Sequence, residues 1–383
     1  MSATADGENG MTAETFAIAE LEMGQNSTKA DRVVAGIGQL GLYLALFMAV
    51  SWGLMYFIPT AFLFTVMLPA SFYMLYSLVV FCPLISGGWP FAPPLGSWKP
   101  GQGIWKPGLG TSALIVTAAV VGPLFTTHVY PKFPLFPVGF WWGIILFTVT
   151  LWYAFVWNGW PLNQKCSPAI RGMGGGLIIL LVTAALWRLV NLSGTPFAGA
   201  AFDPQGPFQA EWFFGFLVWT IVWIQAFSNV LTFQQWPFYK LGQPWGEIAN
   251  TLLSILLGWA CWVGSLQFMS PTFSFAAVAG SIIGMQNFHG AIFGFYPFLT
   301  FKQPVRGICN FFAEIFLACL WIVLLRVLMQ PIAAKVQAAG LPFDINVVSV
   351  LYTLHFIALL TLIHNFYFLR APLPPSGPPP SPE

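Results

Sequence analysis

Ten long apolar runs constrain the fold of this chain more than any other feature of its sequence. They cover residues 33–58, 60–84, 111–130, 140–157, 174–192, 212–233, 248–268, 273–298, 308–329 and 347–368. A helix needs about 20 predominantly apolar residues to cross the ~30 Å hydrocarbon core of a bilayer. Charged residues make up only 7% of the 383 residues, whereas a soluble domain carries about 25%. The sequence therefore predicts an all-α, polytopic membrane helix bundle with about ten transmembrane helices.

The two ends of the chain are polar and flank the predicted bundle of residues 33–370. Residues 1–32 form a predicted polar tail, and the proline-rich residues 371–383 form a second one. The first apolar run is too long for a signal peptide, so we expect it to remain in the mature protein. Lysine and arginine concentrate after the even-numbered runs. By the positive-inside rule, both termini are then cytoplasmic, and we expect a bacterial inner (plasma) membrane location.

A short motif recurs after the even-numbered runs. It reads "WPLNQKCSP" at 160–168, "WPFYKLGQP" at 236–244 and "YPFLTFKQP" at 296–304, with looser copies after runs two and ten. An aromatic residue precedes the first proline, a lysine follows, and the second proline comes seven residues after the first. Proline ends one helix and fits the first turn of the next, while aromatic and lysine side chains suit the membrane interface. Because all copies face the same side, the motif predicts five helical hairpins arranged as parallel internal repeats.

Glu314 is the acidic residue that lies deepest in a predicted span. It follows the second proline of the third motif by ten residues, which is about 15 Å at 1.5 Å per residue and close to the bilayer centre. A charge at that depth costs several kcal/mol and usually marks a pathway or a paired site. We therefore expect Glu314 to be a proton-coupling group or a counter-charge for a cationic substrate.

The repeat register places further polar residues near Glu314. Asn250 and Asn310 lie six residues after the second proline of their motifs, and Asn229 and His289 lie eight residues before the first. We predict one polar pocket among spans six to nine, made of Glu314, Asn310, Asn250, Asn229, His289, Gln286 and Glu247, with Asn287 nearby. The alternative is that the amides form interhelical hydrogen bonds, each worth about 0.6 kcal/mol.

Three functions fit this pattern. The first is a permease for secondary transport of a small organic solute or ion, with no enzymatic activity expected. A GxxxxGK[ST] loop is missing from the sequence, so ATP hydrolysis within the chain is excluded. The second is a membrane subunit or membrane enzyme that holds a cofactor, lipid or pigment. The third is a scaffold for other membrane proteins.

The expected ligands follow from the same reading. No cofactor or metal is predicted, and the five cysteines form no CxxC pair. A haem held by His289 and His364 is the cofactor alternative, because both histidines fall in the inner halves of their spans. Expected partners are membrane lipids, a small solute, and another membrane protein or a second copy of this chain. The net charge of +2 gives no indication of nucleic-acid binding.

Overall fold

The described part of the chain is mostly helical, with very little strand, which confirms the all-α prediction. The computed structural model describes residues 57–81, 83–86, 89, 105–129, 132–162, 166–293, 295–341 and 343–349, with isolated positions between 34 and 53. Most of predicted span one and most of predicted span ten lie outside the described residues. Two short strands, β1 (Val190–Asn191) and β2 (Phe208–Gln209), pair in parallel.

Eight of the described helices correspond to predicted spans two to nine, and two short helices lie at the end of span two and after span nine. They are α1 (Thr60–Val80), α2 (Pro83–Ser86), α3 (Trp105–His128), α4 (Leu135–Val156), α5 (Pro168–Trp187), α6 (Ala210–Ala226), α7 (Trp245–Ser265), α8 (273–293), α9 (Val305–Leu328) and α10 (Gln330–Ala338). Among the described residues, five helices are long and apolar enough to cross a membrane: α1, α4, α5, α7 and α9. They indicate a membrane protein. The full arrangement of ten spans in five hairpins stays a prediction.

The even-numbered spans form an inner row of helices, and the odd-numbered spans pack outside it. In the inner row α1 packs on α4, α4 on α6, and α6 on α8. Outside it α3 packs on α1, α5 on α4, α7 on α6, and α9 on α8. In an apolar 18-residue stretch of each helix, 67% of α1 and 72% of α4 is buried, whereas only 22–28% of α5, α7 and α9 is buried. The outer helices therefore present apolar faces of the kind that contact lipid.

The repeated motif has the same local geometry in its three closest copies. The helix after each copy begins at or next to the second proline: α5 at Pro168, α7 after Pro244 and α9 after Pro304. Two residues before the first proline, the backbone is left-handed, with φ of 72° at Gly159, 59° at Gln235 and 64° at Phe295. The prediction that the second proline opens the next helix is confirmed for these copies, whereas α6 already ends at Ala226, well before the first proline of its motif at Pro237.

Predicted span six is not helical over its whole length. The sequence predicts a helix to residue 233, but α6 ends at Ala226, and residues 227–236 form a mostly buried, non-helical segment (the 227–236 segment). The Ser228 hydroxyl accepts the backbone N–H of Leu231 at 2.9 Å, and the N–H of Phe233 bonds to the carbonyl of Ala226 at 2.8 Å. Local bonds of this kind compete with helical ones, so the apolar run continues while the helix does not.

The loop between α5 and α6 is organised by Asp203. Its carboxylate accepts the backbone N–H groups of Leu192 and Gln205 at 3.1 Å and of Gly199 at 2.8 Å. Partial burial of Asp203 favours its neutral form, but the three donors outweigh that effect and lower its pKa. The ionised carboxylate is therefore the form that holds the loop together.

Replacing Asp203 with asparagine is expected to loosen this loop at neutral pH. Because the folded-state pKa lies below the unfolded value of about 3.9, the stabilisation is present above that value and is lost as the pH falls through the folded-state pKa. Hydrogen exchange at Leu192, Gly199 and Gln205, read by mass spectrometry at pH 7, should be several-fold faster in Asp203→Asn. Glu211→Gln, at an exposed carboxylate nearby, serves as the control. Equal exchange in Asp203→Asn and wild type would contradict the assignment.

Candidate functional site

Glu314 lies at the meeting point of α8, α9 and the 227–236 segment. Its side chain is 0% exposed. The Thr232 hydroxyl lies 3.1 Å from its Oε1 and 2.9 Å from its Oε2, and His289 Nδ1 lies 3.5 Å from Oε1. Thr232 and His289 are themselves only 1% and 3% exposed. The carboxyl group is thus enclosed by protein on elements that come from three parts of the chain.

The register of α9 explains why these polar groups face inward. Arg306, Asn310, Glu314 and Ala318 are spaced four residues apart and are all buried, so they share one face of the helix. The opposite face exposes large apolar side chains, namely Phe312, Phe316, Leu320 and Val323. An outer helix of this kind places its apolar side toward lipid and its polar stripe toward the bundle.

The contacts of His289 allow it to share a proton with Glu314. Its Nε2 lies 3.0 Å from the backbone carbonyl oxygen of Tyr296, and a carbonyl oxygen can only accept, so we assign the Nε2 proton to that bond. When the pair binds one further proton, that proton can lie either on Nδ1, facing a carboxylate, or on the Glu314 carboxyl group, facing a neutral ring. The pair can therefore exist in two protonation arrangements within the same contact.

A second set of contacts ties the first turn of α9 to the 227–236 segment. The buried Arg306 guanidinium donates through Nη2 to the side-chain oxygen of Gln234. Gln303 donates to the backbone carbonyl of Thr232 at 3.4 Å and accepts the N–H of Gly307 at 3.0 Å. These bonds hold Thr232 against Glu314.

Asn310 lies between Arg306 and Glu314 on the same face of α9. It is 1% exposed, and among the described residues neither its side-chain nitrogen nor its side-chain oxygen has a hydrogen-bond partner. An unpaired buried polar group costs about 1–3 kcal/mol. The position is therefore suited to a bound polar ligand or water molecule beside Glu314.

The structure divides the predicted pocket into two groups that both contact the 227–236 segment. In the first group, Glu314 contacts Thr232 of that segment and His289 contacts Glu314. The second group contains Asn250 and Glu247. Asn250 donates to the backbone carbonyl of Phe227 at 3.0 Å and accepts from Ser254 at 3.2 Å. Glu247 and Asn250 line a partly open cavity of about 170 Å³.

Two of the predicted amides connect segments that are distant in the sequence. Asn229 donates to the side-chain oxygen of Asn158, which follows α4. Gln286 on α8 donates to the backbone carbonyl of Val222 on α6 at 3.0 Å. Gln286 thus makes an interhelical bond, Asn229 links two non-helical segments, and Asn287 donates to the carbonyl of Ile283 within its own helix at 3.1 Å.

Sequence reasoning missed three residues of the site. Arg306 falls between predicted spans eight and nine, among the basic residues that follow an even-numbered run, but it is buried in the first turn of α9. Its four-residue spacing from Asn310 was the available signal. Thr232 and Gln234 had no such signal, because a continuous helix was expected at their positions.

The haem alternative involves one residue outside the described chain, His364. Both ring nitrogens of His289 already face protein groups, Glu314 and the carbonyl of Tyr296. Among the described residues, no group of three or more His, Cys, Asp or Glu side chains is placed to hold a metal ion. The cofactor, lipid and pigment alternatives stay predictions.

Comparison with known proteins supplies no family. No protein-family model matches the chain, and no curated protein or solved structure matches it. The chemistry of the buried site is therefore the basis for assigning a function.

Proposed function

We propose that the protein is a secondary permease in which the Glu314–His289 pair gains and loses a proton as a small solute crosses the membrane. The observation that carries the proposal is the fully buried Glu314 carboxyl group, in contact with Thr232 and His289. Ionisable groups are expensive inside a membrane and are retained there mainly for pathways, relays and binding. The two possible positions of the shared proton give the pair a means of coupling.

The broken end of span six supports this proposal. Irregular backbone within a membrane domain is tolerated where protein buries it or where it lines a cavity. In many transporters such discontinuous helices form the substrate and ion sites. Here the 227–236 segment contributes Thr232 to Glu314 and Phe227 to Asn250, so it contacts both groups of polar residues.

We also propose that the bundle is built of internal hairpin repeats and that both termini are cytoplasmic. Buried residues of α7 and α9 occupy the same positions after the second proline; Asn250 corresponds to Asn310, and Ser254 to Glu314. Contacts between neighbouring repeats also correspond. The Trp157 indole donates to Thr251 at 3.1 Å, and at the equivalent positions the rings of Phe233 and Phe311 lie 6.4 Å apart. Glu314 would then be an acidic substitution in one repeat of a common scaffold.

Solute-driven proton movement tests the proposal. The purified chain is reconstituted into vesicles that contain the pH-sensitive dye pyranine, and small amines, amino acids, carboxylates and sugars are added in turn. We expect at least one class of solute to change the internal pH faster than it does in protein-free vesicles. If every class gives the protein-free rate, the permease proposal is wrong.

A further inference from the structure

The cavity beside the second motif contains a carboxylate that the proposed coupling pair does not use. The cavity has a volume of about 170 Å³, and its lining includes Asn158, Gln235, Phe238, Tyr239, Gln243 and Glu247. It therefore brings together the first motif region, the second motif and the first turn of α7.

Glu247 is the buried acidic group of this cavity. It is 7% exposed, and among the described residues its Oε2 has no hydrogen-bond partner. Its place in the first turn of α7 gives a favourable interaction with the helix dipole. The dipole does not satisfy the oxygen lone pairs, however, and a buried carboxylate oxygen requires a donor. The nearby Lys240 is exposed and lies 6.0 Å from the centre of the Tyr239 ring.

We propose that this cavity binds a small primary ammonium ion with a short alkyl chain. The Glu247 carboxylate supplies the opposite charge, and the side-chain amides of Gln235 and Gln243 offer oxygens to the three N–H donors of an ammonium group. The rings of Phe238 and Tyr239 suit the alkyl chain and the cation. A cavity of ~150 Å³ admits benzene, so the ligand is limited to about six non-hydrogen atoms.

This inference deepens the proposed function by naming the class of solute, and it rests on that function only for the claim that the bound ion is transported. Binding itself is measured separately from transport. The residues that line the cavity include neither Glu314 nor His289, so variants at Glu247 and at Glu314 separate the two claims.

Calorimetric titration of the purified full chain in detergent tests the site, with n-butylammonium as the probe. We expect binding to wild type, about 10- to 100-fold weaker binding to Glu247→Gln because a charge-assisted bond is lost, and unchanged binding to Glu314→Gln. Butyrate, tetramethylammonium and sodium are the comparison probes. Tetramethylammonium is expected to bind more weakly because it has no N–H donors.

Charge changes at Gln243 provide a second test that leaves the buried Glu247 intact. Gln243 is exposed, so its substitution is compatible with folding. Gln243→Lys is expected to weaken butylammonium binding, and Gln243→Glu to strengthen it, each by about three- to tenfold for charges several ångströms apart near the surface. The reverse order, or no difference, would overturn the site.

The remaining outcomes separate this site from the permease proposal. Equal butylammonium binding by wild type and Glu247→Gln, equal affinity for butyrate or tetramethylammonium, or sodium binding with the same dependence on Glu247 would each overturn the ammonium site. Glu247-dependent binding combined with no solute-driven pH change in vesicles would retain the site and reject the permease. Solute-driven pH change combined with butylammonium binding that does not depend on Glu247 would retain the permease and reject the ammonium site.

Discussion

Replacing Gly258 with leucine is expected to destabilise the folded protein by about 3 kcal/mol or more. A Cβ atom at Gly258 would lie 2.4 Å from Oγ1 of Thr220, 2.7 Å from its Cα and 2.8 Å from its backbone nitrogen. Two of these atoms belong to the backbone of α6, which cannot move aside as a flexible side chain can. The substitution should therefore separate α7 from α6 and remove the contacts that position Asn250.

Thermal unfolding in detergent, followed by size-exclusion chromatography, measures this effect. The matched control is Gly264→Ala on the same helix, where a Cβ atom would meet nothing within 4 Å. Alanine is favoured over glycine inside a helix by about 0.5–1 kcal/mol, so this variant should be as stable as wild type or more so. A melting temperature for Gly258→Leu equal to that of Gly264→Ala would contradict the α6–α7 packing.

Glu314→Ala and Glu314→Gln are expected to differ strongly in stability. The alanine variant leaves the Thr232 hydroxyl and His289 Nδ1 without their partner and opens a small void, which should cost about 2–4 kcal/mol. The glutamine side chain has nearly the same volume as glutamate. It can accept a hydrogen bond from the Thr232 hydroxyl and donate one to His289 Nδ1. It therefore resembles the arrangement in which Glu314 holds the proton, and should lose no more than about 1 kcal/mol.

The same thermal measurement distinguishes these variants. Glu211→Ala provides the control, since Glu211 is exposed at the start of α6 and its loss should have little effect. If Glu314→Ala unfolds at the same temperature as Glu211→Ala, the contacts of Glu314 with Thr232 and His289 contribute nothing to the fold.

Hydropathy and proline spacing predicted the helices of spans two to nine because both act locally. Pro168, Pro244 and Pro304 mark helix starts for a reason that does not depend on neighbouring helices. The end of α6 was missed because Val230, Leu231 and Phe233 continue the apolar run. The hydrogen bonds that end the helix there depend on Ser228 and on backbone contacts that hydropathy does not register.

The candidate site was predictable in part. The depth of Glu314 and the register of His289 placed them in one region, and the structure brings them to 3.5 Å. The division of the predicted pocket into two groups was not predictable, because it depends on the path of the 227–236 segment. Thr232 enters the site only because that segment leaves the helix.

The initial rate of solute-driven pH change in vesicles, compared between wild type and Glu314→Gln, tests the central claim most directly. The glutamine variant preserves the contacts of the site but cannot exchange the proton. We expect a folded protein whose rate is lower by about 100-fold or more, as for loss of a proton-transfer group, while Glu211→Gln keeps the wild-type rate. A Glu314→Gln rate equal to that of wild type would show that Glu314 has a structural role and does not couple solute movement to protons.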